Sequence, residues 1–108
     1  MTNYLFTFRG VRDPGLVPET FDAWARWHLE LGAHLKDRGY PAKLATSVGA
    51  AAAATTVHGY SIVRASSIHA AVDLAKGCPI LNSDGGIEVA ELVVNDDTFD
   101  QWLSQHHP

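Results

Sequence analysis

The sequence predicts one domain of the α+β class, with strands and helices in the order β-α-β-β-α-β. The length of 108 residues is typical of a single domain. Short β-prone runs alternate with two stretches of helical periodicity, and glycine or proline separates them. The expected core spans residues 3–94, and residues 95–108 are expected to form a tail.

The first predicted elements are a strand and a long helix. The aromatic run at residues 4–8 favours a strand, which the turn-forming residues 12–15 end. Proline suits the first turn of a helix, and glycine suits the position after its last turn. We therefore expect the first helix to run from near Pro18 to about Arg38 and to stop at Gly39.

One face of this helix is apolar except for a single imidazole. At about 3.6 residues per turn, Phe21, Trp24, Leu31 and Leu35 share a face, and His28 falls among them. An imidazole in such surroundings needs a hydrogen-bond partner or a chemical role. His28 is therefore the first candidate functional residue.

The middle of the chain predicts two strands. Residues 42–47 are interpreted as a second strand or its start, and the alanine-rich residues 48–56 as a strand edge and loop. The sequence GYSIVRA at residues 59–65 is the clearest strand.

The last third predicts a helix, a strand and a short tail helix. Ser66 or Ser67 is expected to cap the second helix, which ends at Gly77. Residues 87–94 alternate as a strand. A C-terminal helix is expected to carry three apolar residues, Phe99, Trp102 and Leu103.

This order of elements is that of the ferredoxin-like fold. It gives a four-stranded antiparallel sheet with two helices on one face. The other face is left bare, and large apolar faces seldom stay exposed on monomers. We therefore expect a partner for this face.

The composition excludes several classes of protein. The net charge of −4, with no cluster of lysine and arginine, argues against a nucleic-acid partner. One cysteine, Cys78, excludes an internal disulfide framework. We expect a cytoplasmic protein without a membrane segment, because the sequence shows neither a signal peptide nor a long apolar run.

Most of the chain from Tyr4 to Val93 resembles a known family. The resemblance lies in GYSIVRASSIHAAVDLAKGCPIL, followed by GGIEVAEL, and in the helix pattern of His28, nine residues and then Arg38-Gly39. These motifs are similar to those of the YCII-related family, which is close to the DGPF-domain proteins. The chain departs from the DGPF branch, because no Asp-Gly-Pro-Phe segment lies between Ser47 and Gly59.

The resemblance implies a homodimer and a pocket. Ferredoxin-like subunits of this family pair their sheets into an α+β barrel, with a pocket between the first helix and the sheet. Some members carry a histidine of this helix with an aspartate, proposed as an enzymatic pair. The residue that matches this histidine is His28.

The sequence leaves several candidates for the acidic partner of His28. Asp37 is excluded if both residues belong to one helix, because it would lie about 13 Å along the axis and half a turn around. The remaining candidates for this partner are Asp84, Glu88 and a residue of a second subunit. Glu88 has a competing structural role as an ion-pair partner of Arg9 or Arg64.

The candidate site therefore combines catalytic and ligand-binding residues. The catalytic candidates are His28, Asp84 and Glu88, and the ligand-binding candidates are Arg9, Trp24 and Tyr60. We expect neither a metal nor a cofactor, because the histidine spacing and the lone glycine pair match no such motif.

Two functions fit these residues. The first is a small-molecule-binding cleft with acid/base activity of His28 on a small carbonyl or carboxylate compound. The second is a non-catalytic module that binds a metabolite or a partner, with His28 as a core residue bonded to a backbone carbonyl or a serine hydroxyl.

Overall fold

The computed structural model describes residues 1–11, 21–51, 54–93 and 96–106, with residues 96–99 described by their backbone alone. The strands are β1 (Thr2–Gly10), β2 (Leu35–Asp37), β3 (Thr56–Ala65) and β4 (Gly86–Glu91). The helices are α1 (Phe21–Leu31), α2 (Ile68–Ala75) and α3 (Asp96–His106). The predicted turn at 12–15 and the helix start near Pro18 lie outside the described residues. No described helix is long and apolar enough to cross a membrane.

The strands form one antiparallel sheet with the order β2-β3-β1-β4. β1 is central and pairs with β3 on one side and β4 on the other. The register between β1 and β3 shifts between Phe8 and Arg9, as at a β-bulge. The predicted α+β class with a four-stranded antiparallel sheet is confirmed.

The core lies between α1, α2 and one face of the sheet. Alternate residues of β1 and β3 point into it, as the two-residue period of a strand requires. Apart from Gly10, the buried residues of the strands are large in β1 and mostly small in β3: Tyr4, Phe6 and Phe8, then Gly59, Ser61, Val63 and Ala65. The helices add Trp27 and Leu31 from α1 and Ala71 and Ala75 from α2.

The prediction that the first helix runs to Arg38 is wrong. α1 ends at Leu31, and a single 3₁₀ turn follows it. Gly32 has a φ of +54°, a left-handed conformation that ends a helix. Leu35 therefore belongs to β2 and not to the helix.

The buried face of α1 also differs from the predicted one. Phe21 is 90% exposed, whereas Trp27, which was not assigned to the apolar face, is 2% exposed. Trp24 is half-buried and Leu31 is buried, as predicted. The helix thus faces the sheet through its two tryptophans.

The second strand lies earlier in the chain than predicted. Residues 42–47 form no strand; beyond β2, Pro41 makes one isolated bridge to Gly59, and Ala42 donates to the oxygen of His58 at 2.9 Å. Proline has no N–H to continue the ladder. The alanine-rich stretch contains a 3₁₀ turn at Gly49–Ala51, and β3 begins at Thr56.

The C-terminal half follows the prediction more closely. Ser67 caps α2 by accepting from the backbone N–H of Ala70 at 3.1 Å. α2 ends at Ala75, close to the predicted stop at Gly77. β4 is shorter than the predicted 87–94, and α3 forms in the expected tail.

Gly39 is required by a close approach of two backbone segments. Its φ is +70°, and a Cβ atom built there would fall on the backbone oxygen of Tyr60. We predict that Gly39→Ala lowers the free energy of unfolding by about 3 kcal/mol, because strain and a backbone clash both oppose the methyl group. Urea denaturation measures this change.

Gly49→Ala is the matched control. Gly49 has a similar φ of +65°, but a Cβ atom there has no heavy atom within 4 Å. We expect a loss of only about 1 kcal/mol from strain alone. Equal losses in the two variants would show that the approach to Tyr60 contributes nothing.

Candidate functional site

His28 lies in the last turn of α1, between the helix and the sheet. Its half-buried ring is 5.2 Å from the ring of Trp27 and 6.1 Å from that of Trp24, measured between centroids. The two indoles form one wall beside the imidazole. The other edge of the ring points to β3.

An aromatic cluster fixes α1 on the sheet. Trp27 stacks on Phe6 at a centroid distance of 6.3 Å, and Trp24 meets Phe8 edge-on at 4.9 Å. The Nε1 atom of Trp27 donates to the backbone oxygen of Leu74 in α2 at 3.2 Å. The position of the His28 backbone is therefore set by contacts with both the sheet and the second helix.

Ser61 is the polar side chain that faces the imidazole. It is fully buried on β3, and its Oγ is 3.4 Å from Nε2 of His28 and 2.6 Å from the backbone oxygen of Arg38. A carbonyl oxygen only accepts, so the Ser61 hydroxyl donates to Arg38 and its Oγ accepts from Nε2 of His28. The Ser61 hydroxyl proton is thus donated to the backbone oxygen of Arg38 and not to a base such as His28. This arrangement argues against Ser61 as a nucleophile.

The surroundings favour the neutral form of His28. Burial lowers the pKa of the ring below its usual 6.5, and the positive charge of Arg38 lowers the pKa further. A hydrogen bond with the backbone of Trp24 raises the pKa by a smaller amount. Burial and Arg38 thus favour the neutral ring, whose single N–H donates to Ser61 from Nε2, while the bond with the Trp24 backbone favours a second proton on the ring.

Sequence reasoning missed Ser61 and Arg38 as members of this cluster. Arg38 approaches His28 because the chain turns back at Gly32 and runs along β3 as β2. The sequence did contain a signal for this turn: Gly32 follows Leu31 directly, and glycine readily adopts the left-handed conformation that ends a helix. Ser61 carried no signal, because serine in a strand is usually placed on the polar face.

The geometric reason for excluding Asp37 also fails, because Asp37 lies on β2 and not on the helix. Its Oδ1 atom accepts from the backbone N–H of Gly39 at 2.9 Å. The carboxylate therefore stabilises the turn after β2.

Glu88 and Tyr60 lie on the sheet face opposite to His28. Both are paired in register with Thr7, which points away from the core between Phe6 and Phe8. Neither side chain reaches His28 within one chain. Within the described residues, Glu88 forms no ion pair with Arg9 or Arg64.

Asp84 lies in the turn before β4 and is exposed. Its φ of +62° is unusual for a residue other than glycine and belongs to the turn between the 3₁₀ segment Pro79–Asn82 and the strand. The structure shows no contact between Asp84 and His28.

Arg9 is bound to the segment that leads into β3. Its Nε donates to Oγ1 of Thr55 at 3.0 Å, and Nη2 donates to the backbone oxygen of Thr55 at 3.1 Å. Of the six predicted site residues, the structure thus brings only His28 and Trp24 together. Ser61 and Arg38 complete the cluster.

The other polar groups of the described residues add no second centre. Cys78 is buried after α2. Within the described ranges, no three histidine, cysteine, aspartate or glutamate side chains gather as metal ligands.

A small groove lies between α2 and β4, on the far side of β1 from Ser61. Its volume is about 190 Å³, and Val72, Leu81, Ile87 and Val89 are among its lining residues. This volume is below that of usual ligand pockets, which hold roughly 300–1,000 Å³. None of the predicted site residues is among the residues that line it.

No protein-family model matches the chain, and neither does any curated protein or solved structure. The function must therefore be argued from the cluster itself.

The lowered pKa of His28 makes the stability of the protein depend on pH. The unfolded chain binds a proton at this residue more readily than the folded protein does. The free energy of unfolding therefore falls as the pH decreases below about 6.5, until the pH passes the lower pKa of the folded state. We predict that His28→Gln removes this contribution, since glutamine can donate to Ser61 but does not titrate.

Chemical denaturation at a series of pH values between about 8 and 5 measures the effect. His69→Gln is the control, because His69 is exposed on α2. A pH dependence that is the same in His28→Gln and the wild type would contradict the prediction.

Proposed function

We propose that this protein is a YCII-like small-molecule-binding subunit in which His28 transfers a proton to or from a small carbonyl or carboxylate compound. The compound binds beside α1, next to Trp24 and Ser61. The chain works as a homodimer, and the proposed chemistry requires neither a metal nor a cofactor.

The placement of the His28 ring is the observation that carries this proposal. The imidazole is only partly buried, between the two indoles of α1 and Ser61 of β3, and burial lowers its pKa, which favours the neutral form that a general base needs. Its Nε2 contact with Ser61 and its indole neighbours hold the ring in one orientation. A fixed ring orientation is what proton transfer to a bound compound requires.

The strand order supports a ferredoxin-like arrangement. Counted from the other edge, the order is β4-β1-β3-β2, with α1 after β1 and α2 after β3. The residues that resemble the YCII family occupy β3, the end of α2 and β4 of this sheet.

The second face of the sheet supports a homodimer. Leu5 lies at its centre, next to Ile62 on β3 and Ala90 on β4. Leu5 and Ile62 are only partly buried, and Ala90 is exposed. A second copy would cover these apolar groups and give a closed, two-fold assembly of the α+β barrel type.

A non-catalytic binding module is the second candidate, and the short hydrogen bond of Ser61 favours it. The chain of contacts from His28 through Ser61 to the Arg38 carbonyl joins α1, β3 and the end of β2. Such a chain satisfies buried polar groups, and this is a structural role.

The turnover of a bound compound distinguishes the two functions. Thermal-shift screening of small carbonyl compounds and hydroxy acids finds binders, since a ligand at 100 times its Kd adds about 2.7 kcal/mol. We predict that His28→Gln lowers kcat by roughly 100-fold or more while changing binding only slightly, because general acid–base catalysis contributes that much.

His69→Gln provides the matched histidine control and should keep full activity. If His28→Gln turns the compound over at the wild-type rate, the proton-transfer role is wrong. If no binder is turned over and His28→Gln loses binding, the non-catalytic module is supported.

The homodimer is tested by a charge on the second face of the sheet. We predict that Ile62→Lys converts the dimer into a monomer in sedimentation velocity, because a buried unpaired charge is costly at an interface. Leu29→Lys is the control, since Leu29 is 81% exposed on α1. A monomeric wild type, or a dimeric and folded Ile62→Lys, speaks against this interface.

A further inference from the structure

The groove between α2 and β4 is an apolar cleft on the face of the sheet that carries α1 and α2. Val72 and Leu81 border it and are 38% and 44% exposed, and Ile87 and Val89 line it from β4. Its volume of about 190 Å³ is close to that of an apolar cavity of roughly 150 Å³ that binds benzene in another protein. The groove therefore holds about one aromatic ring, which is the size of one large side chain.

The helix α3 carries a side chain of this size. Its described side chains, at residues 100–106, are polar except for those of Trp102 and Leu103. These two residues are 51% and 44% exposed. The indole of Trp102 stacks on His106 of the same helix at 4.4 Å between ring centroids. Trp102 and Leu103 thus form a short apolar ridge on this part of α3.

α3 does not cover the groove of its own chain. No residue of α3 is among the residues that line the groove. Within the described ranges, α3 makes only slight contacts with the sheet and with the other two helices. The ridge and the groove are therefore two exposed apolar surfaces of one chain that do not meet in this structure.

The connection to α3 leaves the sheet at its edge. β4 is an edge strand, the N–H of Leu92 donates to the backbone oxygen of Asn3 at 3.0 Å, and α3 begins at Asp96. The chain from Leu92 to Asp96 spans at most about 14 Å, whereas stacked sheets lie about 10 Å apart. A helix that starts at this edge can therefore reach a second copy that stacks on the open face of the sheet.

We propose that two copies of this chain exchange their α3 helices, with Trp102 of each copy in the groove between α2 and β4 of the other. This inference rests on the homodimer of the proposed function, because the two copies are those whose sheets meet, but it does not rest on the chemistry of His28. The exchange is reciprocal, since a two-fold assembly gives each copy the same helix and the same groove. It covers the exposed ridge and the exposed groove together.

A disulfide between two chains tests the exchange directly. Lys76 lines the groove and has an exposed side chain, so Lys76→Cys combined with Leu103→Cys places one thiol at the groove and one next to Trp102, which is kept. Mild oxidation should give a covalent dimer in non-reducing gel electrophoresis. A monomer that has lost both thiols would show that α3 closes on its own groove. That result, or the absence of any disulfide, would overturn the proposal.

Lys76→Cys combined with Ser104→Cys is the matched control. Ser104 is exposed on α3 and lies about 200° around the helix from Trp102, so we expect little covalent dimer. The wild-type chain gives the background, because its only cysteine, Cys78, is buried. An equal yield of covalent dimer from the two cysteine pairs would indicate random collision and would overturn the proposal.

Trp102→Ala and Val72→Lys change the contact from its two sides. We expect each to raise the Kd of the dimer by roughly tenfold or more in sedimentation equilibrium, because a buried tryptophan commonly dominates an interface. The double variant should show less than the combined effect of the two single variants, since both remove one contact. Phe21→Ala, at a residue that is 90% exposed on α1, should leave the Kd unchanged. An unchanged Kd in Trp102→Ala, or fully additive effects, would overturn the proposal.

The disulfide experiment decides the proposal even if one of these variants fails to fold, because it keeps both Trp102 and Val72. Its failure is also distinct from that of the proposed sheet contact. A folded and dimeric Ile62→Lys rejects the sheet contact, whereas a disulfide within one chain rejects the exchange. Neither result affects the turnover measured for His28→Gln.

Discussion

The burial of Trp27 is the constraint on which the rest of this structure depends. Its ring packs on Phe6 and Phe8 of the central strand, and its Nε1 atom donates to Leu74 of α2. One side chain thus joins both helices to the sheet. Truncation of such a buried aromatic residue typically costs about 3–5 kcal/mol. Because His28 is the next residue, the same packing sets the direction of the imidazole.

The cluster around His28 combines a structural and a chemical property. Ser61 is fully buried and lies opposite Phe6 of the central strand, a place where an apolar side chain would also fill the space. Its hydroxyl is satisfied by a carbonyl, so the polar group is retained without a buried unpaired atom. What this arrangement adds over an apolar core is a ring whose charge responds to its surroundings. Burial, followed by the charge of Arg38, lowers the pKa of this ring, and no carboxylate is among the causes of the shift.

The sequence predicted the class of the fold but not the composition of the site. Strands with aromatic or alternating residues and a helix with a serine cap carry strong local signals, and these elements were found. The end of α1 was missed because Leu35 continues the helical spacing, whereas Gly32 stops the helix through its left-handed backbone. The helical spacing alone does not show whether the helix continues to Leu35 or ends before Gly32.

The face to which each side chain of β3 points was also not predictable from its sequence. Its inward residues include the small residues Gly59, Ser61 and Ala65, while Tyr60 and Ile62 point to the other face. Small side chains are needed there because the rings of β1 and α1 fill the core at close packing. Tyr60 was therefore assigned to the pocket, although it lies across the sheet from His28.

The two edges of the sheet restrict how copies of this chain can associate. β2 is only three residues long and shifts its register against β3, so it offers a poor template for a further strand. β4 carries the exposed carboxylates Glu88 and Glu91, which would repel those of an identical strand beside it. Both features oppose open-ended, fibril-like growth by the addition of identical strands at the edges of this sheet.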